Sequence, residues 1–149
     1  MKTQPLTSIF IATAGVSSLL IALLHVVIIF VGAEGYRYFG AGEEMAQMAE
    51  RGELYPTIAT SIITLIFAIW GLYGLSSAGV IRKLPLLKPA LWTIAVIFCL
   101  RGLMLIPFLF LLNSPYANEL RERPVFTVLT SLVSLLLGIG YLSGARKLM

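Results

Sequence analysis

The sequence predicts an all-α integral membrane protein: a single domain, residues 1–149, built as a four-transmembrane-helix bundle of two hairpins. Composition is the first observation, since 58% of the residues are hydrophobic, 12% are charged and the mean hydropathy is +0.93. A soluble domain of this size is far less apolar. The second observation is segment length. Four apolar stretches, near residues 9–32, 55–81, 89–112 and 125–145, can each cross a hydrocarbon layer about 30 Å thick as a helix.

The third observation is the distribution of charge, which predicts the orientation of these helices. The termini and the second loop carry basic residues and no acidic ones, whereas all seven glutamates lie in the first and third loops. The positive-inside rule therefore places both termini in the cytoplasm. Compact loops without an organelle signal favour a bacterial inner (plasma) membrane, and the basic collar suits anionic membrane lipid rather than nucleic acid. The collar consists of Lys2, Arg82, Lys83, Lys88, Arg146 and Lys147.

The first apolar segment is interpreted as a retained helix, because it exceeds the roughly 7 to 15 apolar residues of a signal peptide. One face carries mostly small or polar side chains at helical spacing, which indicates close packing against another helix. His25 lies on this face. It is either a neutral histidine bonded to a neighbouring helix or a group that handles protons or ligand. The face consists of Ile11, Ala14, Ser18, Ala22, His25, Ile29 and Gly32.

The first outer loop is predicted to contain a short amphipathic helix over residues 43–51, lying on the outer surface. Gly42 is expected at its N-cap and Gly52 at its end, with Met45, Met48 and Ala49 on one side. The glutamates of the loop are interpreted as a solvated face.

Hydroxyl side chains form matching stripes on the second and fourth segments, 70 residues apart. The strings TSIITLIFAI and TSLVSLLLGI begin at Thr60 and Thr130, and both helices end near an Arg-Lys-Leu sequence. This pattern predicts two related hairpins in the same orientation, a parallel internal repeat.

Arg101 is the one formally charged residue inside the third segment, about 16 Å below its outer end. A guanidinium at this depth costs about 2.5–3.5 kcal/mol, so it is expected to face helices, water or a ligand rather than lipid tails. Residues at similar depth would line an outward-facing polar vestibule, with Arg101 either binding helix carbonyls or anchoring a small anion. The candidate ligand-binding residues are Arg101, His25, Glu34, Thr60, Thr64, Thr130 and Ser134.

Several chemistries find no support in the sequence. One cysteine, Cys99, excludes an internal disulfide and a cysteine-rich metal site, and a single histidine cannot supply two haem ligands within one chain. No phosphate loop or nucleotide motif is present. We therefore assign no catalytic residue, no metal and no cofactor, and enzymatic activity is not favoured.

Three functions are compatible with these observations. The first is a small-solute or anion binding or transport unit that uses the vestibule. The second is a non-catalytic accessory or scaffold subunit of a membrane complex. The third is a lipid- or quinone-acting enzyme with His25 as its base. Membrane lipid is the expected partner, and the chain is expected to form a homo-oligomer or to join a larger complex.

Overall fold

The computed structural model of the chain describes residues 6–148, apart from the side chains of Ile106 and Phe108, and this part contains seven helices and no β-strand. The helices are α1 (Leu6–Val31), α2 (Ala33–Tyr38), α3 (Glu43–Glu50), α4 (Tyr55–Ala78), α5 (Leu87–Leu111), α6 (Pro115–Arg121) and α7 (Pro124–Lys147).

Four of these helices, α1, α4, α5 and α7, are long and apolar enough to cross a membrane, which confirms the four long apolar helices expected from the sequence. Their bounds differ from the expected ones by a few residues. α4 ends at Ala78 rather than at residue 81, because Gly79 adopts a left-handed conformation with φ 80° and the N–H of Val80 donates to the carbonyl of Leu75. This glycine-terminated arrangement stops an α-helix even where apolar residues continue.

The short helix of the first outer loop forms as α3, flanked by Gly42 and Gly52, which both have positive φ. Its inward face includes the expected Met45 and Ala49, which pack against a cluster that contains Ile28 and Tyr36. Ala46 belongs to the same cluster and is fully buried, although it was not among the residues predicted for this face.

Two further short helices, α2 and α6, were not predicted. α6 begins with Ser114 as its N-cap, whose hydroxyl accepts a hydrogen bond from the N–H of Ala117, and with Pro115 in the first turn. Serine followed by proline is a recognised start signal for a helix.

The long helices pack mainly as two antiparallel pairs, α1 with α4 and α5 with α7. Contacts of α1 with α7 and of α4 with α5 join the pairs. The start of α1, the loop after α4 and the end of α7 therefore share one end, called here the basic end, and α2, α3 and α6 lie at the other, the cap end. The core between the pairs includes Ile11, Leu91, Ile94, Phe98 and Tyr141.

The outward surfaces of the long helices are apolar. Phe30 is 86% exposed, Leu65 63% and Leu136 68%. A water-soluble protein rarely exposes apolar side chains over so much of its surface. Together with the four candidate spans, these exposed side chains indicate a membrane-embedded protein.

Candidate functional site around Arg101

The Arg101 side chain connects α5 to α7 through neutral groups. Its Nη1 donates to the hydroxyl oxygen of Ser134 at 2.5 Å and to the carbonyl of Thr130 at 3.2 Å. The Ser134 hydroxyl in turn donates to the same Thr130 carbonyl at 2.9 Å. A cation, a hydroxyl and a carbonyl therefore share one small network.

Two glycines allow the helices to approach closely enough for this network. A Cβ added at Gly102 would lie 2.9 Å from the carbonyl oxygen of Ser131, and one added at Gly138 would lie 3.0 Å from the amide nitrogen of Cys99. Small residues at helix contacts have this role in membrane proteins.

The positive charge of Arg101 has no carboxylate partner among the seven glutamates, none of which lies within 4.0 Å of it. Within the described part of the chain, its Nε and Nη2 donate to no acceptor, and the residue is exposed at the protein surface. An arginine presents its N–H groups as a planar fork that matches two oxygens of a carboxylate or phosphate. Arg101 thus combines an unbalanced charge with unused donors.

Tyr116 of α6 brings the cap end close to Arg101. Partial burial raises the pKa of the Tyr116 phenol above its ordinary value, and the positive charge of Arg101 opposes part of this rise. The phenol donates to the carbonyl of Gly40, in the loop before α3. Tyr116 therefore joins α6 to the loop before α3 on the side of the positive charge of Arg101, a contact that the sequence did not predict.

The predicted site residues divide between the two helix pairs. Arg101, Thr130 and Ser134 come together on α5 and α7. His25 belongs to α1, where its Nδ1 lies 2.7 Å from the carbonyl of Ile21 in its own helix and its ring stacks on Phe67 of α4. The hydrogen bond expected from His25 to a neighbouring helix is thus replaced by a bond within α1 and an aromatic contact with α4.

The remaining candidates also lie apart from Arg101. Thr60 is buried on α4, where its carbonyl accepts a hydrogen bond from the Thr64 hydroxyl at 2.9 Å. Glu34 has an 81% exposed side chain and pairs with Arg37 at 2.9 Å, so it does not reach inward. Within the described part of the chain, none of these candidates is hydrogen-bonded to Arg101, Thr130 or Ser134.

The two hydroxyl stripes nevertheless form the same local contact. The Thr64 hydroxyl donates to the carbonyl of Thr60, four residues earlier, and the Ser134 hydroxyl donates to the carbonyl of Thr130 in the same way. The two pairs are 70 residues apart in the sequence. In α7 this contact also binds a cation, whereas in α4 it does not.

At the cap end, the glutamates expected to form a solvated face are partly engaged by arginine. Arg37 forms ion pairs with Glu34, Glu43 and Glu50. Its guanidinium holds the pKa of Glu43 below the usual value of 4.5 through hydrogen bonding. The exposed cluster joins α2 to α3 within the first outer loop.

The third loop binds to this cluster through helix ends. Glu119 accepts a hydrogen bond from the N–H of Glu43, the first residue of α3, at 3.0 Å. Arg123 donates to the carbonyls of Arg37 and Tyr38 at the end of α2. These are the charges that helix termini favour, a carboxylate at the N-terminus and a cation at the C-terminus. The cap end is therefore one connected structure above Arg101.

No group of three or more His, Cys, Asp or Glu side chains that could hold a metal ion occurs in the described residues. Comparison with known proteins adds no assignment: no family model, no curated protein and no solved structure matches this chain.

Proposed function

We propose that the four long helices form a transmembrane bundle in the bacterial inner membrane, with both termini in the cytoplasm. Two observations support this arrangement. The outward faces are apolar over the length of the helices, and the basic end carries Lys and Arg without any acidic residue. The cap end, with all seven glutamates, would then face the periplasmic side.

We further propose that the chain binds a small oxyanion, a solute carrying a carboxylate or phosphate group, from the cap side. The observation that carries this proposal is the exposed, unbalanced charge of Arg101 with unused Nε and Nη2 donors. An uncompensated guanidinium within an apolar span is unfavourable until an anion, water or a partner covers it. Binding an oxyanion would relieve this cost and satisfy the free donors at once.

Each residue has a distinct role in the proposed site. Arg101 anchors the anion, and its Nη1 is held in place by Ser134 and Thr130. Tyr116, which donates to the carbonyl of Gly40, is the cap-end residue proposed to lie beside the anion's path. The proposal concerns binding, and a flux measurement would show whether the bound solute is also transported.

An accessory or scaffold role is the second candidate, favoured by the same exposed donors. An acidic residue within the membrane span of another protein would pair with Arg101 as well as a solute would. A second copy of this chain offers no such partner, because none of its glutamates lies in a span. The described contacts of His25, its Nδ1 facing the carbonyl of Ile21 and its ring stacked on Phe67, add no support for the third candidate, a lipid- or quinone-acting enzyme.

A thermal unfolding experiment on the purified protein in mild detergent distinguishes oxyanion binding from the accessory role. Inorganic phosphate and acetate serve as probes at constant ionic strength. At a probe concentration one hundred times the Kd, binding stabilises the folded state by about 2.7 kcal/mol, which corresponds to roughly 5–10 °C for a chain of this size. We expect this rise for the wild type and for Arg82→Leu, a matched loss of charge at the basic end.

Arg101→Leu should unfold at nearly the wild-type temperature without probe and gain nothing from phosphate or acetate. An equal rise in Arg101→Leu would refute the site. Absence of any rise in the wild type, together with a co-purifying protein that Arg101→Leu loses, would instead support the accessory role.

A further inference from the structure

A second feature of the molecule, remote from Arg101, is an open groove of about 740 Å³ at the basic end. One wall is the first half of α1 and the other is formed by the end of α4 and the residues that follow it. The groove extends from Ser8 to Leu20, about 18 Å along the helix. This length is close to half of a hydrocarbon layer about 30 Å thick.

The two ends of the groove differ in polarity. At the end nearest the helix termini, the Ser8 hydroxyl accepts a hydrogen bond from Lys147 Nζ at 2.8 Å, and the Thr13 hydroxyl lines the wall. At the deeper end the lining is mainly apolar apart from the Ser17 hydroxyl, with Val16 47% and Leu20 60% exposed. A molecule that fits must have a polar head and an apolar tail.

Charge selects the type of head. Five of the described Lys and Arg residues lie at this end, and no described glutamate does: Arg82, Lys83, Lys88, Arg146 and Lys147. The ammonium group of Lys147 has three donors, and its described partner is a neutral hydroxyl. A second copy of this chain would bring the same positive charges to the groove, so charge disfavours that occupant and favours a phosphate.

We propose that this groove binds one anionic phospholipid from the leaflet at the basic end. The phosphate lies at Lys147 and Ser8, and one acyl chain lies along Val16 and Leu20. Basic pockets between transmembrane helices on the cytoplasmic side recognise anionic headgroups in this way. The inference does not rest on the proposed oxyanion site, from which it differs in helix pair and in end.

The test is a lipid titration of the full chain in mild detergent, followed by native mass spectrometry. The probes are phosphatidylglycerol and phosphatidylcholine with identical acyl chains. We expect the first phosphatidylglycerol to bind more tightly than phosphatidylcholine. Lys147→Gln should weaken it about fivefold, the factor expected for one cation near a membrane surface. Lys88→Gln, an equal loss of charge at the start of α5, should change it less than about twofold.

The second part of the test fills the groove with a larger side chain. Ala12→Phe should weaken both lipids, and Thr13→Phe, at an exposed position, provides the same test if Ala12→Phe does not fold. Val96→Phe on the exposed surface of α5 is the control and should bind as the wild type does. Equal affinity of the two lipids for the wild type, equal losses in Lys147→Gln and Lys88→Gln, or unchanged binding in both filling variants would each overturn the proposal.

Discussion

The two antiparallel helix pairs use similar sequence elements for different contacts. In the α1–α4 pair, glycine backbones meet directly: a Cβ added at Gly74 would lie 2.6 Å from the Cα of Gly15. In the α5–α7 pair, Gly138 faces the side chain of Cys99, and the contact continues to Arg101 and its hydroxyl partner. Both pairs use close backbone approach, and the α5–α7 pair in addition leaves a charged group at its surface.

A hydroxyl stripe by itself therefore does not make a ligand site. Thr64 and Ser134 each satisfy their hydroxyl within their own helix, through the carbonyl one turn back. Such a bond lies within one helix and does not itself join two helices. Only the residue across the stripe, Arg101 on α5, converts the second one into a candidate binding site.

The largest expected effect comes from the backbone contact of the α1–α4 pair. Gly74→Ala should destabilise the protein by about 3 kcal/mol, at the upper end of the range for overpacking, because the obstructing atoms are backbone and cannot rotate away. Thermal unfolding in detergent measures the change.

Gly138→Ala is the matched control in the other pair. Its added Cβ would lie 2.5 Å from the Cys99 sulfur, a side-chain atom that can move, and 3.0 Å from the Cys99 amide nitrogen. The backbone conflict is milder than the one at Gly74, so we expect a smaller loss, about 1–2 kcal/mol. Both changes gain the same helix propensity. Equal losses would show that the two pairs are not packed differently.

The next effect concerns the contact that joins the pairs. The Tyr141 hydroxyl donates to the carbonyl of Trp70 at 2.8 Å and lies 2.9 Å from the Ser18 hydroxyl, so it connects α7 to α4 and α1. Tyr141→Phe should cost about 1–2 kcal/mol, measured by thermal unfolding. Tyr73→Phe removes an exposed hydroxyl and should cost less than about 0.5 kcal/mol. An unchanged melting temperature in Tyr141→Phe would contradict a connecting role for this hydroxyl.

A smaller effect, on phosphate affinity, is expected when the equivalent hydroxyls of the two stripes are removed in turn. Ser134→Ala removes one of the two acceptors that hold Arg101 Nη1, so phosphate should bind roughly three- to tenfold more weakly, with less than about 1 kcal/mol of stability lost. Thr64→Val deletes the equivalent hydroxyl of α4 and should leave phosphate affinity unchanged. Titration of phosphate in the thermal assay distinguishes them, and an equal loss in Thr64→Val would place the site elsewhere.

The smallest effect lies at the cap end, where exposed charges join the loops of both pairs. Because Arg37 lowers the pKa of Glu43, this pair contributes stability above pH 4.5, and the contribution is lost as the pH falls through the lowered pKa. Melting temperatures measured from pH 6 downwards should therefore fall less steeply for Glu43→Gln than for the wild type. Identical profiles would show that the ion pair contributes nothing to folding, as some exposed pairs do.

The long helices could be predicted from the sequence because a membrane span imposes both length and apolar composition. The buried face of α1 was also predictable in its first half, where Ile11, Ala14, Ser18 and Ala22 are all buried. Gly15 was missed, although it makes the closest contact with α4. Its role depends on the glycines of another helix, which spacing within α1 does not reveal.

The candidate site was predictable in part for a geometric reason. Residue spacing gives depth along a helix, and Arg101 and Ser134 do lie at matching depth and in contact. Depth does not show which helices are neighbours, so His25 was grouped with Arg101 although it packs against Phe67 in the other pair. Tyr116 was missed because its position depends on how α6 folds over the ends of the long helices.

The most direct test of the account asks whether the Arg101 site can be reached from the cap side. In a Cys99→Ala background, Thr130→Cys is exposed to a membrane-impermeant thiol reagent in right-side-out membrane vesicles. Ser131→Cys, at the neighbouring buried position, is the matched control, and Gln47→Cys on the exposed surface of α3 reports sidedness.

We expect Thr130→Cys to react with the thiol reagent and phosphate to slow this reaction. Ser131→Cys should stay unmodified until the protein is unfolded. A Thr130→Cys thiol as unreactive as Ser131→Cys, in vesicles where Gln47→Cys reacts, would contradict a binding site open to the cap side.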